Sequence, residues 1–353
     1  MLREHMPKSQ PQGYNMSSIF APALHTVAAT VFIIMAMATA ASAEIKSCTP
    51  ENAPVETLPP AQKTPLQLVF QLRQTMPATG ILLCRDVYGL RIGNSLSVTA
   101  PKVVGLDIGL PFSVGKEVTG IHLSLIGNIL LNKFSGLQLG GIYNVTNEFT
   151  GIQIAPILNI AGTDDNVAYG VQLGLINFAD LRGVQAGLVN LAGTSSVQIG
   201  GVSAAREALV QASIFSNILF DLEERNVFVQ LGGLIGNYAT NVGLFQGIGV
   251  LNIADKLSGV QAGVVNIAIS DLGGLQVGLI NIADITIFAD RHDKDYAKVK
   301  GVQLGLINHA ESIRGLQIGF VNSAVSLKGV QIGALNINRS GPLKFMPLVN
   351  IGF

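Results

Sequence analysis

Residues Gly301–Asn338 read GVQLGLINHAESIR, GLQIGFVNSAVSLK and GVQIGALNIN, three copies of one pattern with nothing between them. The unit is about fourteen residues long: Gly, aliphatic, Gln, aliphatic, Gly, two mostly aliphatic residues, Asn, any residue, then usually Ala. Self-similarity at so short a period points to stacked repeats, in which one unit cannot bury its apolar side chains without its neighbours. Each copy alternates aliphatic residues with Gln or Gly, and Gly or charged residues separate the copies, so the unit is strand-like.

Outward from this stretch, clear copies begin at Gly136, Gly151, Gly170, Gly183, Ser196, Gly259 and Gly274. Degenerate ones sit at Val210-Gln211-Ala212, at Val229-Gln230-Leu231-Gly232 and around Gly247–Asn252, and a last one ends the chain at Leu348–Phe353. Insertions are read after Ala161, Val202 and Ala283. Toward the N-terminus the pattern fades: Gly105-Leu106-Asp107-Ile108-Gly109 and Gly89-Leu90-Arg91-Ile92-Gly93 keep the Gly-aliphatic-polar-aliphatic-Gly frame without the Asn. The repeat domain is placed at residues 101–353.

In the copy at Gly301, Val302 and Leu304 point one way and Gln303 and Gly305 the other. A bend at Gly305-Leu306 then brings Ile307 and His309 to the aliphatic side and Asn308 to the side of Gln303. Two all-β architectures use such a pattern. In a parallel β-solenoid each unit is one coil, with the aliphatic side inward and Gln303, Gln317, Gln331, Asn308, Asn322 and Asn336 stacked in outward rows. In an outer-membrane β-barrel of about sixteen strands the aliphatic side faces lipid, and a tilted strand of about ten residues covers the roughly 25 Å apolar band.

The solenoid is favoured because neighbouring copies are alike one by one, whereas an up-and-down barrel reverses at each strand. The segments Glu311–Arg314 and Val325–Lys328 also have equal length, and a chain with no Trp and six Tyr is poor material for aromatic girdles. Phe353, on the same face as Ile351 and Val349, keeps the barrel open. With the aliphatic side inward, Leu304→Asp or Ile318→Asp is expected to unfold several neighbouring units.

The chain opens with the apolar run Val27–Met37, followed by Ala41-Ser42-Ala43, the small-residue pattern a signal peptidase reads, which predicts a signal peptide over residues 1–43. The run is shorter than the roughly 20 residues of a spanning helix. Removing residues 1–43, which hold Arg3, Lys8 and Glu4, leaves 20 basic and 21 acidic side chains of the 22 and 22. That balance offers no electrostatic footprint for nucleic acid. With 48% hydrophobic and 12% charged residues the composition excludes disorder. Residues 44–100 are Pro-rich, with Pro50, Pro54, Pro59, Pro60 and Pro65, and read as a linker and small cap. Cys48 and Cys84 both fall there, and in an oxidising compartment they are expected to pair.

Candidate chemistry is sparse. The insertion Asp290-Arg291-His292-Asp293-Lys294-Asp295-Tyr296 is the richest polar cluster; its alternating charges, without a Gly for a tight ion loop, read as a solvated loop. Asp164-Asp165 reads as a turn, and Asp221, Glu223, Glu224 and Arg225 as a charged segment, with a short helix over Ala204–Ala212 as one option. His122 and His309 replace residues at repeat positions. No Ser/His/Asp set, paired Cys ligands or phosphate loop is legible, so neither an enzyme nor a cofactor is expected. The Gln and Asn rows have two readings: inter-coil ladders that satisfy buried or edge amides, or a flat face offering amides to a glycan or protein ligand.

The units GVQLGLIN, GLQVGLIN and GLQIGFVN resemble those of bacterial surface repeat-containing proteins, over about residues 105–353. The resemblance implies an exported, non-enzymatic protein at the outer membrane or surface of a Gram-negative-type cell, in a structural or adhesion role. It supplies no catalytic residues.

Overall fold

The computed structural model describes residues 63–70, 79–81, 86–94, 100, 102–162, 168–219, 226–283 and 300–353. The signal-peptide reading, Cys48 and Cys84, Asp164-Asp165, Asp221–Arg225 and the cluster Asp290–Tyr296 lie outside these residues.

The described residues form one continuous sheet of eighteen strands, wound as a parallel β-solenoid of about fourteen turns. Consecutive copies stack in register with like on like: Gln276 on Gln303, Asn281 on Asn308 and Ala283 on Ala310, then Gly315 on Gly329 and Gln317 on Gln331. The barrel needs antiparallel neighbours, and these are parallel. The 27-residue step from Gln276 to Gln303 does not disturb the register.

The coil has three sides. In the copy at Gly301, Val302–Leu304 form the first, Ile307–Ala310 the second and Glu311–Arg314 the third. Gln303, Asn308, Ala310 and Ile313 point inward and are fully buried. This overturns the expected facing. The solenoid is there, but Gln303, Gln317, Gln331, Asn308, Asn322 and Asn336 line its interior, while Leu306, Ile307 and Ile318 are exposed. An outward Asp at 304 or 318 therefore does not bury a charge, and the expected loss of several units no longer follows.

The interior is divided. Gln and Asn fill one half, and the other is dry, built from the Ala position and the third-side aliphatic: Ala254, Leu257, Ala268, Leu272, Ala310, Ile313, Ala324 and Leu327 form one continuous cluster. Toward the N-terminus Phe134 and Phe149 take the third-side slot and stack, ring centroids 6.1 Å apart. In a parallel stack with coils about 4.8 Å apart, a carboxamide meets its own kind above and below, so a polar side chain is satisfied in a dry interior. That geometry, absent from a single strand, reverses the usual inside-out assignment.

Three boundaries also move. Thr64–Phe70 pairs in parallel with Val87–Gly93, and that strand with Lys102–Gly109, so the stack reaches N-terminal of residue 101 into the expected cap. Ala204–Ala212 is not a helix. It belongs to the strand Leu181–Leu219, where Gln185, Gln198 and Gln211 recur at thirteen residues, and the insertion read after Val202 falls after Leu219 instead. Stacking overrides the helical propensity of Ala and Glu here. The last copy is not a coil. Phe345–Gly352 runs antiparallel to the strand before it, placing Asn350 beside Gln331 as a cap.

Candidate functional site

The polar interior is the chemically distinctive part of the molecule. From Gln153 to Gln331 each Gln Nε2 donates to the Gln Oε1 one coil nearer the N-terminus, as Gln317 does to Gln303 and Gln331 to Gln317, both at 2.7 Å. The Asn ladder runs the other way. Asn308 Nδ2 donates to Asn322 Oδ1, and Asn322 to Asn336, both at 2.8 Å. The second N–H of most of these amides reaches a backbone carbonyl: Gln303 Nε2 that of His309 at 3.2 Å, Asn308 Nδ2 that of Ile318 at 2.9 Å. Two long rows of amide dipoles thus oppose one another, and their fields offset along the stack.

A directed chain leaves one acceptor unfilled at its start. The two Asn runs begin at Asn128 and Asn217, and Asn128 Oδ1 and Asn217 Oδ1 are the ladder oxygens without a donor. The Gln chain avoids this, since Asn350 Nδ2 donates to Gln331 Oε1 at 3.2 Å.

The gap before Asn217 has a local cause. In most copies a glycine two residues after the Gln makes room for the Asn of the preceding coil: a Cβ at Gly319 would stand 2.6 Å from Asn308 Nδ2 and 2.3 Å from the Gly305 carbonyl oxygen. At Ser213 a side chain occupies that site. The preceding coil carries Ser203 in the Asn slot, and the two hydroxyls bond at 2.7 Å. Ser203→Asn alone is therefore expected to clash and destabilise. Ser203→Asn with Ser213→Gly should join the two Asn runs, giving a favourable coupling of about 1–3 kcal/mol in a double-mutant cycle by urea unfolding. Additive effects would break the argument.

Below Gln138 the Gln slot changes character: His122, Asp107 and Arg91 occupy it in successive coils. Arg91 grips Asp107 in a two-pronged ion pair, Nε to Oδ1 at 2.7 Å and Nη2 to Oδ2 at 2.5 Å, with side chains 2% and 1% exposed. Ser113 Oγ accepts from Arg91 Nη2 at 3.0 Å and donates to Asp107 Oδ2 at 3.1 Å. His122 Nε2 lies 3.1 Å from Asp107 Oδ2, angled off a good hydrogen bond, and Nδ1 lies 3.5 Å from Gln138 Nε2. Burial alone would raise the Asp107 carboxyl, but Arg91 and His122 bring it below the ordinary carboxylate value. Burial also pushes His122 down to about 4; Asp107 opposes the shift and Arg91 adds to it. At neutral pH the row is a neutral imidazole above one closed ion pair.

His122 therefore makes stability depend on pH. Its folded value lies below the unfolded 6.5, so its contribution is whole above pH 6.5 and is lost as pH falls toward 4, at up to about 1.4 kcal/mol per pH unit. His122→Gln would donate to Asp107 and accept from Gln138, extending the ladder. Urea midpoints of that variant should fall less steeply from pH 6.5 to 4.5 than those of the parent, the remaining slope including His309, which burial also holds below its ordinary value. Parallel profiles would show that His122 is not the titrating group.

Ser113, His122 and Asp107 do not make a catalytic triad. Ser113 donates to the carboxylate rather than to the imidazole, and all three are closed off from solvent. Among the described residues no group of three or more His, Cys, Asp or Glu is placed to hold a metal ion, and no helix is long and apolar enough to cross a membrane. Sequence reading passed over Arg91, Asp107 and Ser113. The signal was available: the N-terminal copies put opposite charges in successive Gln slots, as a buried pair between adjacent coils would.

No known protein family, curated protein or solved structure matches the chain.

Proposed function

We propose that this is a non-enzymatic, exported repeat protein of the bacterial envelope, displayed at the outer membrane or cell surface in a structural or adhesion role. The observation that carries this reading is the interior: among the described residues its ionisable and amide groups are spent almost wholly on one another along the stack, and none converges on an open cavity. Ala41-Ser42-Ala43 after an apolar run, and the likeness of GLQIGFVN to surface-repeat units, support export. The amide rows are buried, so a glycan or protein ligand would have to be met by other outward residues. Fractionating cells that express the full chain, with N-terminal sequencing and protease shaving, tests the proposal. A mature chain beginning at Glu44 and cut on intact cells is expected; an unprocessed cytoplasmic protein would overturn it.

A further inference from the structure

The outer surface of the coil is as sharply divided as its interior. From Gly170 to Ile337 every described Asp, Glu, Lys and Arg falls on the third side or the turn beside it, Asp180, Arg206, Asp255, Asp271, Arg314 and Lys328 among them. The first and second sides carry aliphatic and aromatic side chains almost throughout. The corner between them, three residues after the Gln, repeats the theme at Leu175, Leu188, Val264, Leu279, Leu306 and Phe320, the last three 57%, 53% and 62% exposed, while Gly201, Gly233, Gly249 and Ala334 interrupt it. Such a row, unbroken through the coils from Val264 to Phe320 at about 4.8 Å per coil, is far larger than the scattered apolar residues of an ordinary surface.

We infer that these two sides and their corner are a lipid-contact face, on which the solenoid lies against the hydrocarbon margin of a bilayer with its charged side to water. Three observations choose lipid over another occupant. On the two sides the strand N–H and C=O groups point along the stack and pair with the coils above and below, and at the corner the Leu175 and Phe320 carbonyls accept from Val189 N and Leu335 N of the next coil, both at 2.9 Å, so the backbone of the face is bonded within the stack as hydrocarbon demands. The row is periodic, so a second copy could slide by one coil and find the same contacts; such a surface specifies no register, and a fluid partner needs none. The chain has no Trp, and no arginine among the described residues stands on the face; these are the anchors on which protein interfaces concentrate their energy. The division of apolar and charged sides is that of an in-plane amphipathic helix, built in β structure. The inference goes beyond the envelope reading and does not depend on it, because synthetic vesicles test it apart from location.

The absence of Trp supplies the experiment. Phe320→Trp on the corner and Arg314→Trp on the charged side each give the full chain a single reporter. With neutral phosphatidylcholine vesicles at high salt, the protein should float with the lipid. The Phe320→Trp emission should shift to the blue and be quenched by brominated acyl chains, while that of Arg314→Trp stays water-like. Leu306→Asp should weaken partitioning about tenfold or more, and Leu306→Ser, milder toward folding, should weaken it less; circular dichroism shows whether each is folded. The inference fails if folded protein does not float, or floats with the Phe320→Trp reporter unshifted, as binding through the apolar run Val27–Met37 would give. It fails if only anionic vesicles bind and salt abolishes it. A defined lipid-free oligomer that already shields the Phe320→Trp reporter would make a second copy the occupant.

Discussion

Asp107→Ala should destabilise the N-terminal coils by about 3–5 kcal/mol, the range for a buried charge whose partner is removed. Arg91 is 2% exposed, and without Asp107 its guanidinium loses the two-pronged carboxylate contact while keeping Ser113 and the Val114 carbonyl. A solenoid couples each coil chiefly to its neighbours, so the loss should appear as an early transition in urea. Hydrogen exchange should locate it near Val87–Gly109 while the coils from Gly301 onward stay protected. The double variant Arg91→Gln/Asp107→Gln is the informative partner. It replaces two charges by the residue that fills this slot from Gln138 to Gln331, so it should recover most of the loss, since replacing both members of a buried pair costs far less than breaking it. If the double variant is as unstable as Asp107→Ala, the ladder logic does not extend below Gln138.

What the sequence made legible was topology. Like-on-like copies at Gly301, Gly315 and Gly329 demand a parallel, in-register stack, and the alternation of Val302, Gln303 and Leu304 assigns side chains to two faces. Which face is inside could not be taken from one copy. The expectation that aliphatic residues are buried is a rule about isolated polar groups, which pay for desolvation when left unpaired. Stacking changes that premise, because Gln303 finds both Gln276 and Gln317 at hydrogen-bonding distance. The same blindness hid the ion pair: Arg91 and Asp107 are sixteen residues apart and meet only once the coil length is known. Ser203 and Ser213 depart from the Asn and Gly of the unit beside the degenerate copy Val210-Gln211-Ala212, yet they compensate each other across one coil step. Ala204–Ala212 was misread because local propensity is weighed without the register that overrides it.

Asn322→Leu is the second large effect, and it tests whether the ladders or the dry strip hold the coils together. Asn322 accepts from Asn308 Nδ2 and donates to Asn336 Oδ1, both at 2.8 Å, and donates to the Ile332 carbonyl at 2.9 Å. Leucine leaves an N–H of Asn308 and the oxygen of Asn336 buried without those partners, at about 1–3 kcal/mol each. It also has little room, since a Cβ at Gly333 would already lie 2.6 Å from Asn322 Nδ2. Apolar burial by leucine returns only part of this, so a net loss of about 2–5 kcal/mol is expected in urea unfolding. The direction of the chain sets where the damage is felt: Asn308 on one side loses an acceptor and Asn336 on the other loses a donor. Ile313→Ala, in the dry strip of the coil before, is the comparison, at about 2–5 kcal/mol from its cavity. If Asn322→Leu is neutral while Ile313→Ala is not, the dry strip alone holds the stack and the amide rows merely fit within it. Comparable losses would mean that two polar ladders, running in opposite directions, carry as much of the fold as the apolar half beside them.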